Sequence, residues 1–259
     1  MTATDTDLGQ LAPRLQTRLP GLKCSQYVDM LARAEAPGLT LRRARDGESR
    51  GARQDPIVWT RARGANVVDA DGNRFVDLTA GFGAAAVGHR HPRVVEAIER
   101  QSGRLLHALG DLHPSEVKIR LLERLAALAP FRDARAVLAL SGSDAVEAAL
   151  GSALLATGKP GVLAFEGGYH GLSLGGRAAC GYGQRFRERF GAQLNPHVCF
   201  APFPARAGAG EPDQPDQPDG GTDQPDALSH AVDTVRSRLR EAAATAPIGA
   251  VLVEPLQGR

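Results

Sequence analysis

The chain has 259 residues, of which 42% are hydrophobic and 23% charged, with 31 basic against 29 acidic side chains for a formal net charge of +2. Such a balance suits an ordinary globular core and excludes a strong bulk field toward nucleic acid or a membrane surface. No apolar run is long enough to span a bilayer, and Met1-Thr-Ala-Thr-Asp-Thr-Asp7 does not read as a secretory signal, so a cytoplasmic location is expected.

Residues 1–55 read as an irregular arm rich in Arg, Pro, Gly and Ala, with one short helix near Gln26–Ala34. Ala65–Asp69 and Arg74–Leu78 alternate apolar and polar residues around Asp71-Gly72-Asn73, a turn that favours positive φ, and predict a β-hairpin. Pro92 sits where a first helical turn tolerates proline, and Val94, Val95, Ile98 and Leu105 give the following helix an apolar side. A second helix is expected after Ser115 as N-cap, with Glu116 in its first turn and a stripe of Val117, Leu121, Leu125 and Leu128 ending at Pro130.

Ala136–Leu140 is a short continuous apolar run of the kind that forms buried parallel strands. A helix is expected from Ala145 to Ala156, then strands at Gly161–Phe165, Val198–Ala201 and Ile248–Val253. Leu228, Val232, Val235 and Leu239 mark a helix before the last strand. Strands alternating with helices at this spacing predict an α/β domain with a largely parallel sheet. Residues 205–226, where Asp-Gln-Pro recurs among Gly and acid, cannot bury a core and are expected to form a disordered surface loop.

Two strand ends carry chemistry. At Leu140-Ser-Gly-Ser-Asp-Ala-Val-Glu147, Gly142 permits a tight turn, and the unpaired N–H groups of the next helix can cradle a phosphate, with Ser141 or Ser143 adding a hydroxyl. Alone this is weak, because a serine capping any helix after a strand has the same pattern. Glu166-Gly-Gly-Tyr-His-Gly171 follows the next strand, and an aromatic at that position can lie flat against a planar ligand. Tyr169 alone reads equally as a half-buried surface tyrosine; the pairing of the two loops favours a site.

The scattered Cys24, Cys180 and Cys199 have no ligand-like spacing and read as reduced thiols. His89 and His91 flank Arg90 without further ligands nearby, so no metal is expected there. His107 and His113 read as polar residues at helix ends.

In order, Gly64–Asp77, Gly88-His-Arg-His-Pro92, Ser141-Gly-Ser-Asp-Ala-Val-Glu147, Tyr169-His-Gly171 and Glu254-Pro-Leu-Gln-Gly258 resemble the class III aminotransferases, from about residue 56 to the end. The resemblance implies pyridoxal 5'-phosphate as cofactor and the N-terminal part of the aspartate-aminotransferase-like fold: α/β, an incomplete mixed sheet with flanking helices. It implies a small-domain and interface segment over 56–110, a partial cofactor domain over 111–259, and a homodimer at full length. Gly142 and Ser143 then look like the phosphate loop, Tyr169 like the aromatic stacked on the pyridine ring with His170 beside it, and Glu254 and Phe82 like substrate-pocket residues. Asp144 stands where the family more often has Glu, and Leu140 where Asn is common.

The activity implied is transamination between an amino donor and a 2-oxo acid or aldehyde. Gly181–Gly191 and Ala201-Pro-Phe-Pro204 resemble the 4-aminobutyrate and ω-amino-acid branch, while decarboxylating and aminomutase relatives share the cofactor loop. In the family, the Schiff-base lysine and the aspartate facing the pyridine nitrogen follow the Glu-Pro-x-Gln segment. None of Lys23, Lys118 and Lys159 matches that lysine. The expectation is therefore a truncated chain of a working enzyme, inactive alone. The alternatives are a pseudoenzyme that binds the cofactor or dimerises, and a remnant without function.

Overall fold

The reversal at Asp71-Gly72-Asn73 is present in the computed structural model, which describes residues 8–39, 56–203 and 225–257. Gly72 takes φ +87°. Asp69 Oδ1 accepts the N–H groups of Asp71 (2.9 Å) and Asn73 (2.8 Å), so the turn is closed by its own carboxylate. It joins β2 (Asn66–Asp69) to β3 (Arg74–Val76), and β1 (Trp59–Arg63) pairs antiparallel with β2 to complete a three-stranded sheet in the order β1-β2-β3. These strands belong to the first of two compact units, Met1–His113.

The central strand β2 is buried along its whole length, and its polar residues are all partnered. Asn66 donates to the Leu8 and Leu11 carbonyls. The fully buried Asn73 accepts from the Gln16 and Thr17 N–H groups and donates to Asp69 Oδ2 and Thr17 Oγ1. These bonds dock residues 8–21 on the sheet. Helix α1 then runs Leu22–Ala34, four residues earlier than the sequence predicts. The reason is non-local: Asp71 Oδ1 and Oδ2 accept the Lys23 and Cys24 N–H groups, a cap supplied from the hairpin turn.

Helix α2 (Pro92–Ser102) has proline in its first turn, and it stops at Gly103, so Leu105 lies outside it. Helix α3 (Glu116–Leu128) begins as its sequence asks, with Ser115 Oγ accepting the Lys118 N–H at 3.3 Å.

The second unit, Pro114–Arg259, is built on a parallel sheet in the order β5-β4-β6. β4 (Gly161–Phe165) is central and buried throughout, flanked by β5 (Val198–Ala201) and β6 (Ile248–Val251). Helix α4 (Gly142–Thr157) precedes β4, and Gly158 in the left-handed region ends it. The short α5 (Leu174–Ala178) follows β4, and α6 (Pro225–Thr245) precedes β6. Leu163, Phe165 and Ala201 form a core against which Cys199, Phe203, Val235 and Leu239 pack.

Two expectations need correction, and a third falls largely outside the described residues. Ala136–Leu140 is not a strand: among the described residues it has no ladder partner, and Val137 and Leu140 are 77% and 100% exposed. An apolar run becomes a strand only where a neighbour takes its N–H and C=O groups. The last strand ends at Val251 rather than Val253. The Asp-Gln-Pro segment lies outside the described residues over 204–224, as does the Leu228 side chain, and the backbone is already helical from Pro225. Among the described residues no helix is long and apolar enough to cross a membrane.

Candidate functional site

At the carboxyl ends of the second unit's strands, three loops are tied to one another. The first turn of α4 is capped by Ser141, whose extended backbone (φ −157°, ψ 167°) aims Oγ at the Asp144 N–H, 3.1 Å away. Asp144 Oδ2 in turn accepts the Leu140 N–H at 3.0 Å, so this carboxylate is turned back along the chain. The N–H groups of Gly142 and Ser143 have no carbonyl within the helix to bond, and they sit at the positive end of a 16-residue helix.

Ser143 faces the loop after β4. Its Oγ accepts the Ser173 N–H at 3.0 Å and lies 2.6 Å from Ser173 Oγ, which donates to the Ser143 carbonyl at 3.2 Å. Gly171, at φ +95°, passes so close that a Cβ there would meet Ser143 Oγ at 2.5 Å. Only glycine allows this approach.

Tyr169 is half-buried, with Tyr182 edge-on at a 6.5 Å ring-centroid separation and Phe186 at 6.3 Å. The Tyr169 N–H donates to Glu254 Oε2 at 2.8 Å, and Gln257 Nε2 donates to the Glu166 carbonyl at 2.7 Å. The segment after β6 is thus folded onto the segment after β4. His170 is 9% exposed, and its Nε2 has no hydrogen-bond partner among the described residues. Burial pushes the imidazole below its ordinary pKa and so favours the neutral ring, while the Glu254 charge opposes the shift.

Gly142, Ser143, Tyr169, His170 and Glu254 therefore belong to one constellation within the second unit. Gly258 lies outside the described residues. Phe82 belongs to the first unit, in a tight run where Ala80, Gly81, Phe82 and Gly83 all have positive φ. Asp77 organises that run: its carboxylate accepts from the Thr79 N–H and Oγ1, the Gly81 N–H and, at 2.8 Å, His89 Nε2. The His89 bond first, then those from Thr79 and Gly81, hold the Asp77 carboxyl down at about 2. His89 is used here as a loop anchor.

Sequence reasoning passed over Ser173, Glu147, Gln257, Tyr182 and Phe186 as parts of this constellation. Glu147 and Gln257 were visible within motifs. Tyr182 and Phe186 lay within the Gly181–Gly191 stretch without a role, and Ser173 gave no signal, since nothing in the local sequence says which hydroxyl or ring meets Ser143 or Tyr169.

The arrangement offers an anion-binding helix start, an aromatic ring and a buried imidazole beside a carboxylate, all at strand ends where α/β sheets bind ligands. The model of the family described as aminotransferase class-III matches residues 48–259. An alanine/serine racemase from Pyrococcus horikoshii is 31% identical over 192 residues, 74% of this chain and 38% of that protein. A 4-aminobutyrate aminotransferase from Mycobacterium leprae is 31% identical over 206 residues, 78% of this chain and 44% of that protein. Among solved structures, an amine transaminase from an uncultivated Pseudomonas species, in its PLP-bound form, matches with a TM-score of 0.66 and 28% identity, covering 80% of this chain and 46% of that one. The chain spans less than half the length of these relatives.

Proposed function

We propose a function from one premise: the chain belongs to the class III aminotransferase family. The proposal is that it carries the phosphate-binding and ring-facing half of a pyridoxal phosphate site serving transamination between an amino donor and a 2-oxo acid or aldehyde. The observation that carries this reading is the bond from the Tyr169 N–H to Glu254 Oε2, which brings the aromatic after β4 and the carboxylate after β6 together.

The residues fit the group. A phosphate dianion would sit on the Gly142 and Ser143 N–H groups, where the helix dipole contributes about 0.3–1 kcal/mol. Tyr169 would face the pyridine ring, held edge-on by Tyr182 and Phe186. His170 Nε2, unpartnered among the described residues, is a polar atom that a cofactor substituent would satisfy. When bound, pyridoxal phosphate supplies an aldehyde carbon for the amino group and a ring that draws electron density from the substrate carbon. Glu254, fixed through the Tyr169 amide, would bias substrate charge at the mouth of the site.

The lysine that bonds the aldehyde is proposed to come from sequence other than this chain. Lys159 follows the C-terminus of α4, and a helix of 16 residues places it about 24 Å from the phosphate loop, beyond a lysine's reach. Racemisation is the second reading, favoured by the alanine/serine racemase among the relatives. The test is equilibrium dialysis of the purified chain against pyridoxal phosphate, followed by borohydride. Reversible uptake with no fixed label supports the proposal; label fixed on Lys23, Lys118 or Lys159 contradicts it. Joined to the rest of a class III sequence, the protein should transaminate 4-aminobutyrate-like donors, and racemisation without a keto product would favour the second reading.

A further inference from the structure

We infer that Glu147 is a positioning residue that locks the phosphate half of the cradle to the ring half, an inference that rests on the reading above. Ser143 and Glu147 are four residues apart on α4 and so share one face, the face turned to the loop after β4. Ser143 takes the Ser173 N–H. Ser173 is the N-cap of α5, yet its side chain makes no cap bond, because its hydroxyl is spent on the Ser143 carbonyl. The first N–H groups of α5 are thus left without the acceptor that a capping serine ordinarily gives. Glu147 supplies it from the other helix: its Oε1 accepts the Gly175 N–H and, at 3.4 Å, the Gly176 N–H.

The contact is close enough to dictate residue types. A Cβ at Gly175 would lie 2.9 Å from Glu147 Oε2, and one at Gly176 would lie 2.5 Å from the His170 carbonyl. The carboxylate therefore sets the backbone that runs from His170 to Gly176, and through it the spacing between the Gly142–Ser143 amides and the Tyr169 ring. A bare phosphate needs only the first; pyridoxal phosphate needs both at a fixed distance. Glu147 is placed against backbone amides of the loop, and nothing in the proposed cradle asks it to touch the ligand.

The full 259-residue chain and its variants can be dialysed against pyridoxal phosphate and, separately, inorganic phosphate. Glu147→Ala should weaken pyridoxal phosphate binding about tenfold, the size expected for losing a charge-assisted acceptor, with phosphate binding unchanged. Glu147→Gln keeps an acceptor oxygen and should recover most of the loss. Gly175→Ala, which crowds the carboxylate, should repeat the split by a different route. Equal affinities in Glu147→Ala and the unsubstituted chain, or proportional loss of both ligands, would overturn the role. Failure of the unsubstituted chain to bind either ligand would instead overturn the cradle reading. In that case amide exchange at Gly175 and Gly176 still tests the staple: it should quicken in Glu147→Ala, and unchanged exchange contradicts it.

Discussion

The turn at Asp69–Asn73 and the cradle around Ser143–Gly171 use the same parts, carboxylates and backbone amides at tight bends, to opposite ends. In the first, Asp69, Asp71 and Asn73 spend their side-chain atoms on the chain itself: the hairpin amides, the arm at Gln16–Thr17 and the start of α1. Cys24, Asp69 and Asp71 are close enough together to suggest a metal, but the carboxylates already hold N–H donors. In the second, the loops are tied at their flanks by Ser143, Glu147 and Glu254, while the Gly142 and Ser143 amides of α4 have no carbonyl within the helix and the buried His170 Nε2 has no partner among the described residues. The saturated network is structural; the braced network with polar atoms to spare is what the proposed cradle requires.

The sharpest way to break this contrast is to damage the saturated side. Asn73→Ala takes a bond from four partnered groups, of which the Asp69 carboxylate is the buried one, and should cost about 2 kcal/mol in the first unit's unfolding, with pyridoxal phosphate uptake unchanged. Denaturant titration and dialysis read the two halves of that statement.

Acid should act next, through Asp77. Its carboxyl is depressed from 3.8 to about 2, so its contribution is fully present above pH 4 and lost as pH falls toward 2. Asp77→Asn should flatten that acid limb; an unaltered limb would show that Asp77 does not anchor the Thr79–Gly83 run. On the cradle side, Tyr169→Ala should weaken pyridoxal phosphate binding about tenfold while sparing inorganic phosphate. The smallest effect is Ser141→Ala, a loss of about 1 kcal/mol in stability from the α4 cap, readable by thermal unfolding.

What the sequence disclosed follows the range of the forces involved. The hairpin, the proline start of α2, the Ser115 cap of α3 and the buried β4 are set by neighbours in sequence, and all were legible. The start of α1 was not, because its cap comes from Asp71 some fifty residues on. Ala136–Leu140 misled for the same reason: its apolar pattern is a strand's, but a ladder is a property of two segments. In the candidate site, Gly142, Ser143, Tyr169, His170 and Glu254 could be named from motifs, whereas their bonds could not. Ser141 and Ser143 were interchangeable on paper; in three dimensions one caps α4 and the other meets Ser173.

The account stands most directly on amide hydrogen exchange of the chain with and without pyridoxal phosphate. It predicts slowed exchange at Gly142, Ser143 and the Tyr169–Gly171 loop, with the Asp69–Asn73 turn unaffected. Protection at the turn instead of the cradle, or no protection at Gly142 and Ser143 in a sample that binds the cofactor, would contradict it.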